Sequence, residues 1–256
     1  MQKQNKMRTP LRLKPFLLAV SLLTRLPVTA ITQVRDADIG QSALYYPLVG
    51  LLIGLLLFLS ILLFSHADAM PLAAMMIMQW AMITGGLHLD GLADSADGWL
   101  GGAGSRDKTL QIMKDPLVGS AGVVAIVCVL LVKFAALGAL LQQKMGYLVI
   151  FTPVLARSMV LLLFLTTPYV SDHGMASKIT KHLPRKQAAW VVAFCLLAGL
   201  IIAFWGMLFM LAGFWLLRRL MLKRLGGCTG DTTGATVEIS EMLILLGSAL
   251  LYQVAA

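Results

Sequence analysis

Gly85-Gly86-Leu87-His88-Leu89-Asp90-Gly91-Leu92-Ala93-Asp94-Ser95-Ala96-Asp97-Gly98 follows an apolar run, Pro71 to Thr84, long enough to be most of a membrane helix. Asp90, Asp94 and Asp97 recur at spacings of four and three. On a helix, residues three and four apart share a face, so the three carboxylates point the same way. Like charges so placed repel by about 0.2–0.5 kcal/mol per exposed pair, and more where water is scarce. A cation among them removes that penalty. Oxygen-only ligands suit a hard ion such as Mg²⁺, which keeps waters and shares substrate phosphates. The competing reading is a solvated acidic loop, but carboxylates beside a bilayer core are costly and usually functional.

The surrounding chain is apolar. Of 256 residues, 59% are hydrophobic and only 13% charged, where soluble domains carry about 25%; the mean hydropathy is +0.83. This excludes an ordinary soluble domain and predicts an all-α, polytopic membrane bundle. The net charge of +9 is confined to groups between apolar runs: Lys3, Lys6, Arg8, Arg12 and Lys14; Lys178, Lys181, Arg185 and Lys186; Arg218, Arg219, Lys223 and Arg224. Such grouping argues against a nucleic-acid face and marks cytoplasmic loops in contact with membrane lipid. The first apolar run, Phe16 to Leu23, is followed by Arg25 without a small-residue cleavage site, so no secretory signal is expected. Cys128, Cys195 and Cys228 have neither metal-ligand nor disulfide spacing.

In chain order, residues 1–35 carry seven basic residues and no acid, and Arg12 to Ile31 reads as an amphipathic helix at the cytoplasmic interface. Tyr45 to Phe64 is a span with Gly50 and Gly54 at small-xxx-small spacing, which admits a close neighbour. Pro71 to His88 returns. Residues 88–116 read as a polar loop loosened by Gly101, Gly102 and Gly104. Leu117 to Leu141 and Tyr147 to Thr166 are spans carrying Lys133 and Arg157. Ala188 to Leu217 as one helix would be about 45 Å long, past a hydrocarbon core of about 30 Å, so two short helices turning near Gly206 are expected. That parity brings Asp231 to the same side as Asp90. Ile239 to Val254 is a last span, opened by Glu238 and Glu241. The count is seven spans, six as the alternative, in one integral-membrane domain over 1–256.

A second polar stretch is Gly226-Gly227-Cys228-Thr229-Gly230-Asp231-Thr232-Thr233-Gly234-Ala235. Its glycines leave backbone N–H groups open to phosphate, Thr229 adds a hydroxyl, and Asp231 offers a fourth metal ligand; a tight turn between helices explains the same residues. Four acids at one interface suit metal-assisted phosphoryl transfer. Arg106 and Lys114 follow the acids at loop distance, fitting either a diphosphate or the positive-inside bias. His88 is either a general base for a substrate hydroxyl or an interfacial histidine with a structural hydrogen bond. Arg157, within a span, must face an acid, a cavity or a substrate phosphate, whereas Lys133 can snorkel. The methionines Met70, Met75, Met76, Met78 and Met82 face lipid or pack in the core.

Both polar stretches resemble the signature of the cobalamin synthase family, the adenosylcobinamide-GDP ribazoletransferases. Leu23-Thr24-Arg25-Leu26-Pro27, Tyr46-Pro47-Leu48-Val49-Gly50 and Ile112-Met113-Lys114-Asp115 with Gly119 and Gly122 extend the resemblance over the chain in order. Pro116-Leu117 departs from the family's usual Ser-Arg, and Cys228 from a commoner polar residue. The resemblance implies a Mg²⁺-dependent, multi-pass protein of the prokaryotic inner membrane whose active site faces the cytoplasm. Its reaction would join the corrinoid nucleotide adenosylcobinamide-GDP to α-ribazole or its 5′-phosphate, releasing GMP. A homo-oligomer, or a complex with other late cobalamin enzymes, is the partner expectation. Catalysis falls on Asp90, Asp94 and His88; metal binding on Asp90, Asp94, Asp97 and Asp231; substrate binding on Arg106, Lys114, Arg157, Thr229 and Gly230. Two other readings compete. A CDP-alcohol phosphotransferase shares the Asp-Gly-x-x-Ala start, but wants Arg where Asp94 stands. A cation-coupled transporter would set its acids within broken helices near the midplane.

Overall fold

The computed structural model describes residues 13–29, 31–171 and 174–251. Lys3, Lys6, Arg8 and Arg12, and the end of the last expected span, lie outside the described residues. The elements in order are α1 Lys14–Leu23, α2 Asp36–Ser42, a short 3₁₀ turn Ala43–Tyr45, α3 Tyr46–Leu63, α4 Ala69–Thr84, α5 Leu87–Gly101, α6 Arg106–Ile112, α7 Ser120–Gln142, α8 Leu148–Thr166, α9 Met175–His182, α10 Arg185–Ile202, α11 Phe204–Leu225 and α12 Gly230–Leu251. The only extended pairing among the described residues is an isolated bridge between Tyr169 and Cys228.

Six stretches are long and apolar enough to cross a membrane: Asp36–Leu63, α7, α8, α10, α11 and α12. The pair α4 and α5 qualifies together, bent by 89°. The chain is therefore an all-α, multi-pass membrane protein of six or seven spans. Gly85 and Gly86 make the bend, with φ of 64° and 71°, a left-handed conformation that glycine adopts without steric cost.

Burial ranks the spans. Some 72% of the α8 window and 67% of the α12 window is buried, against 22% for α10 and 28% for α11. α8 and α12 form the centre, and the outer helices show Phe194, Ile201, Leu131 and Leu62 to lipid. α3 closes on α8 at Gly50 and Gly54, where an added Cβ would stand 2.4 Å from the Pro153 carbonyl oxygen and 2.2 Å from that of Ile150. The small-residue spacing thus serves contact with α8. The methionines divide: Met76 is buried in the core, whereas Met78 and Met82 are exposed.

Arginines close the polar end of the bundle by satisfying orphan carbonyls at helix C-termini. Arg185 and Arg218 donate to Leu165 and Thr166 at the end of α8, at 2.7 and 2.6 Å. Arg106 Nε donates to Leu225 at the end of α11, at 2.9 Å.

Several boundaries differ from expectation. The Ala188–Leu217 region is two helices, but the break falls at Ala203. Gly206 lies inside α11, where an added Cβ would meet the Ile244 carbonyl oxygen of α12 at 2.5 Å; its smallness serves packing, not a turn. The region 88–116 is mostly helical, as α5 and α6. The last span begins at Gly230, not Ile239, because Thr229 and Thr232 start the helix there. α1 is shorter than expected and packs Ala19, Val20 and Leu23 inward.

Candidate active site

α12 begins with a reciprocal cap. The Thr229 hydroxyl accepts from the Thr232 amide at 3.2 Å, and the Thr232 hydroxyl accepts from the Thr229 amide at 2.8 Å. This fixes Gly230 and Asp231 in the first turn, the end of a helix that favours anions. The preceding loop is pinned from outside: Cys228 donates to the Pro168 carbonyl at 2.8 Å and Val170 to the Cys228 carbonyl at 3.0 Å. α5 then crosses α12 almost backbone to backbone. A Cβ on Gly91 would stand 2.7 Å from the Asp231 carbonyl oxygen, so only glycine permits this approach. The two motifs, far apart in sequence, meet there.

Asp94 lies in the field of Asp90, Asp231 and Asp97, and Asp231 in that of Asp90. Among the described residues, no Lys, Arg or His makes an ion pair with Asp90, Asp94 or Asp231. Also among them, no three Asp, Glu, His or Cys side chains are gathered tightly enough to hold a metal alone.

Asp97 is otherwise engaged. Its two oxygens accept from the Gly119 and Gly122 amides at 2.7 and 2.9 Å, tying α5 to the start of α7. Asp97→Asn keeps one acceptor and sets a donor against a donor. It should cost about 1–3 kcal/mol, read as a lower melting temperature in detergent.

The structure distributes the remaining candidates. His88 is buried, and its Nδ1 has no hydrogen-bond partner. Arg106 caps α11 and lies beside Asp107 at 3.7 Å. Lys114 is exposed. Arg157 is fully buried and pairs through Nη1 with Glu241, an acid of its own bundle. Lys133 does not snorkel: its ammonium bonds Glu238 at 3.0 Å and Glu241 at 2.6 Å and sits 4.3 Å from the centre of the Trp80 ring. Glu238 and Glu241, expected at a membrane boundary, are buried members of this network. Their spacing of three was the available signal, since it puts both on one helix face.

Beside the carboxylates a cavity of about 310 Å³ opens between α1, α5, α8, α9 and α12. Its walls include Leu23, Val160, Phe164 and Ile179, with Tyr46, Tyr169 and His88 as polar lining and Asp90 and Asp231 as its charged groups. Sequence reasoning missed Tyr46 and Tyr169 as parts of the site. Burial, with Cys228 and Asp231 nearby, pushes the Tyr169 phenol up to about 12, so it stays a neutral hydroxyl. Burial also pushes the Cys228 thiol up to about 12, which denies it the thiolate needed for nucleophilic work.

The family model described as cobalamin-5-phosphate synthase matches residues 15–249. An adenosylcobinamide-GDP ribazoletransferase of Pseudomonas putida (strain GB-1) is 48% identical over 92% of this chain and 98% of its own length. One from Pseudomonas entomophila (strain L48) is 47% identical over 93% of this chain and 99% of its own. One from Ectopseudomonas mendocina (strain ymp) is 47% identical over 91% and 97%. No solved structure matches the chain. A match of this extent, running through both polar motifs and every membrane helix, decides among the readings left open by the residues: the chain belongs to the cobalamin-5-phosphate synthase family.

Proposed function

We propose that this transferase joins adenosylcobinamide-GDP to α-ribazole or its 5′-phosphate, releasing GMP, at the carboxylate-lined mouth between α5 and α12. A ribose hydroxyl oxygen attacks the phosphorus on the cobinamide side of the diphosphate. A P–O bond forms there, the bridging P–O bond breaks, and GMP leaves with the bridging oxygen. The hydroxyl proton passes to solvent or to a basic group at the mouth. The product is adenosylcobalamin or its 5′-phosphate.

The observation that carries this reading is the set of Asp90, Asp94 and Asp231, unpaired with any cation among the described residues, around the first turn of α12. These residues would hold Mg²⁺, which when bound neutralises charge on the diphosphate and on the departing GMP. Asp97 acts on this set by holding α5 against α7. The first turn of α12 offers a favourable dipole to a phosphate oxygen, and Thr229 holds that turn in shape. His88, Tyr46 and Tyr169 contribute hydrogen-bonding groups to the cavity wall. The mouth lies at the end closed by Arg106, Arg185 and Arg218, which supports a cytoplasmic orientation in a prokaryotic plasma membrane.

The test is incubation of the detergent-purified chain with adenosylcobinamide-GDP, α-ribazole 5′-phosphate and Mg²⁺, followed by quantification of GMP. Stoichiometric GMP and corrinoid product, lost with a chelator and restored by Mg²⁺, is the expected result. No GMP under these conditions would remove the reading.

A further inference from the structure

The cavity beside the carboxylates is selective by size and by polarity. Its volume of about 310 Å³ lies at the lower end of the roughly 300–1,000 Å³ range of small-molecule pockets. A corrin macrocycle with its amide side chains needs several times that space, whereas a nucleoside fits. The walls are apolar and aromatic over most of their extent, and the charged groups, Asp90 and Asp231, belong to the carboxylate set next door. An occupant with a flat, uncharged, apolar body and a hydroxylated end matches that division. His88 supplies an independent sign: it lines the cavity, is 4% exposed, and keeps Nδ1 without a partner. A buried polar atom left unsatisfied costs about 1–3 kcal/mol, a cost that a ligand hydrogen bond offsets.

We propose that this cavity is the acceptor subsite. It takes the bicyclic aromatic base of the ribazole between Phe164, Val160 and Ile179, with His88 bonding a base nitrogen or a ribose hydroxyl. The ribose points toward Asp90 and Asp231, and the corrinoid stays outside, reaching the mouth only through its diphosphate. The inference rests on the transferase reading above and adds to it where each substrate sits and what limits the choice of lower base.

Two variants of the full chain in detergent test it. Ala176, on α9 at the cavity wall, is half-buried and outside the spans. Ala176→Trp should fill the cavity, raising the KM for α-ribazole 5′-phosphate by roughly 10–100-fold, the range a pocket contact controls. The KM for adenosylcobinamide-GDP should stay within about twofold. Phe164→Leu opens the wall without adding bulk. It should raise kcat/KM for a tricyclic-base ribotide relative to the natural bicyclic one by about tenfold. Unchanged acceptor KM in a folded Ala176→Trp protein, or unchanged base preference in Phe164→Leu while the wild type releases GMP, overturns the subsite and leaves the transferase reading standing. Absence of GMP from the wild type overturns both.

Discussion

Asp94→Asn is expected to lower GMP release by about 10²–10³-fold, the scale of removing one group that stabilises transition-state charge, while the protein still inserts and folds. Asp94 is the middle member of the α5 set and lies in the field of Asp90, Asp97 and Asp231. Replacing its carboxylate by an amide relieves that repulsion, so the folded state gains slightly, if anything. If Asp94 holds Mg²⁺ as proposed, the lost negative charge weakens that grip and the concentration of Mg²⁺ giving half-maximal rate should rise. Activity against Mg²⁺ concentration, with a melting curve alongside, separates the two effects. Near-normal turnover at low Mg²⁺ would take Asp94 out of the mechanism.

Glu241→Gln is expected to act on the fold instead. Glu241 is wholly buried and accepts from both Lys133 and Arg157. Without its charge, Glu238 alone faces two buried cations. Removing one partner from a buried ion pair costs about 3–5 kcal/mol, because it leaves a charge uncompensated. For a chain of this size that corresponds to a melting temperature lower by on the order of 10 °C. Adding Arg157→Met to Glu241→Gln leaves Lys133 and Glu238 as one balanced pair. The double variant should therefore melt above Glu241→Gln alone. If it melts lower by the sum of the two single losses, charge balance is not what the network provides.

This network also ties the central helices to one another. α7, α8 and α12 each contribute to it, and α4 adds the Trp80 ring under Lys133. In a bilayer, polar side chains can reach partners only on neighbouring helices, so four spans are registered to one another by one cluster. His88 lies within electrostatic reach of Arg157, Glu241 and Lys133. His88, which lines the cavity beside the carboxylates, thus stands between that cavity and the network.

Composition, apolar run length and the grouping of basic residues determined by themselves that this chain is a helical membrane bundle, because hydrocarbon imposes length and hydropathy on each span separately. The same local logic placed Asp90, Asp94 and Asp97 on one helix face and divided the Ala188–Leu217 region in two. Only the tertiary structure decided which polar groups answer one another. It turned Asp97 to the start of α7, drew Arg157 and Lys133 to Glu238 and Glu241, and set Tyr46 and Tyr169 beside His88. Hydropathy reports how readily a residue enters the membrane, whereas the partner of a buried charge depends on rotation and depth of helices that lie a hundred residues apart in the chain, and no single helix encodes either.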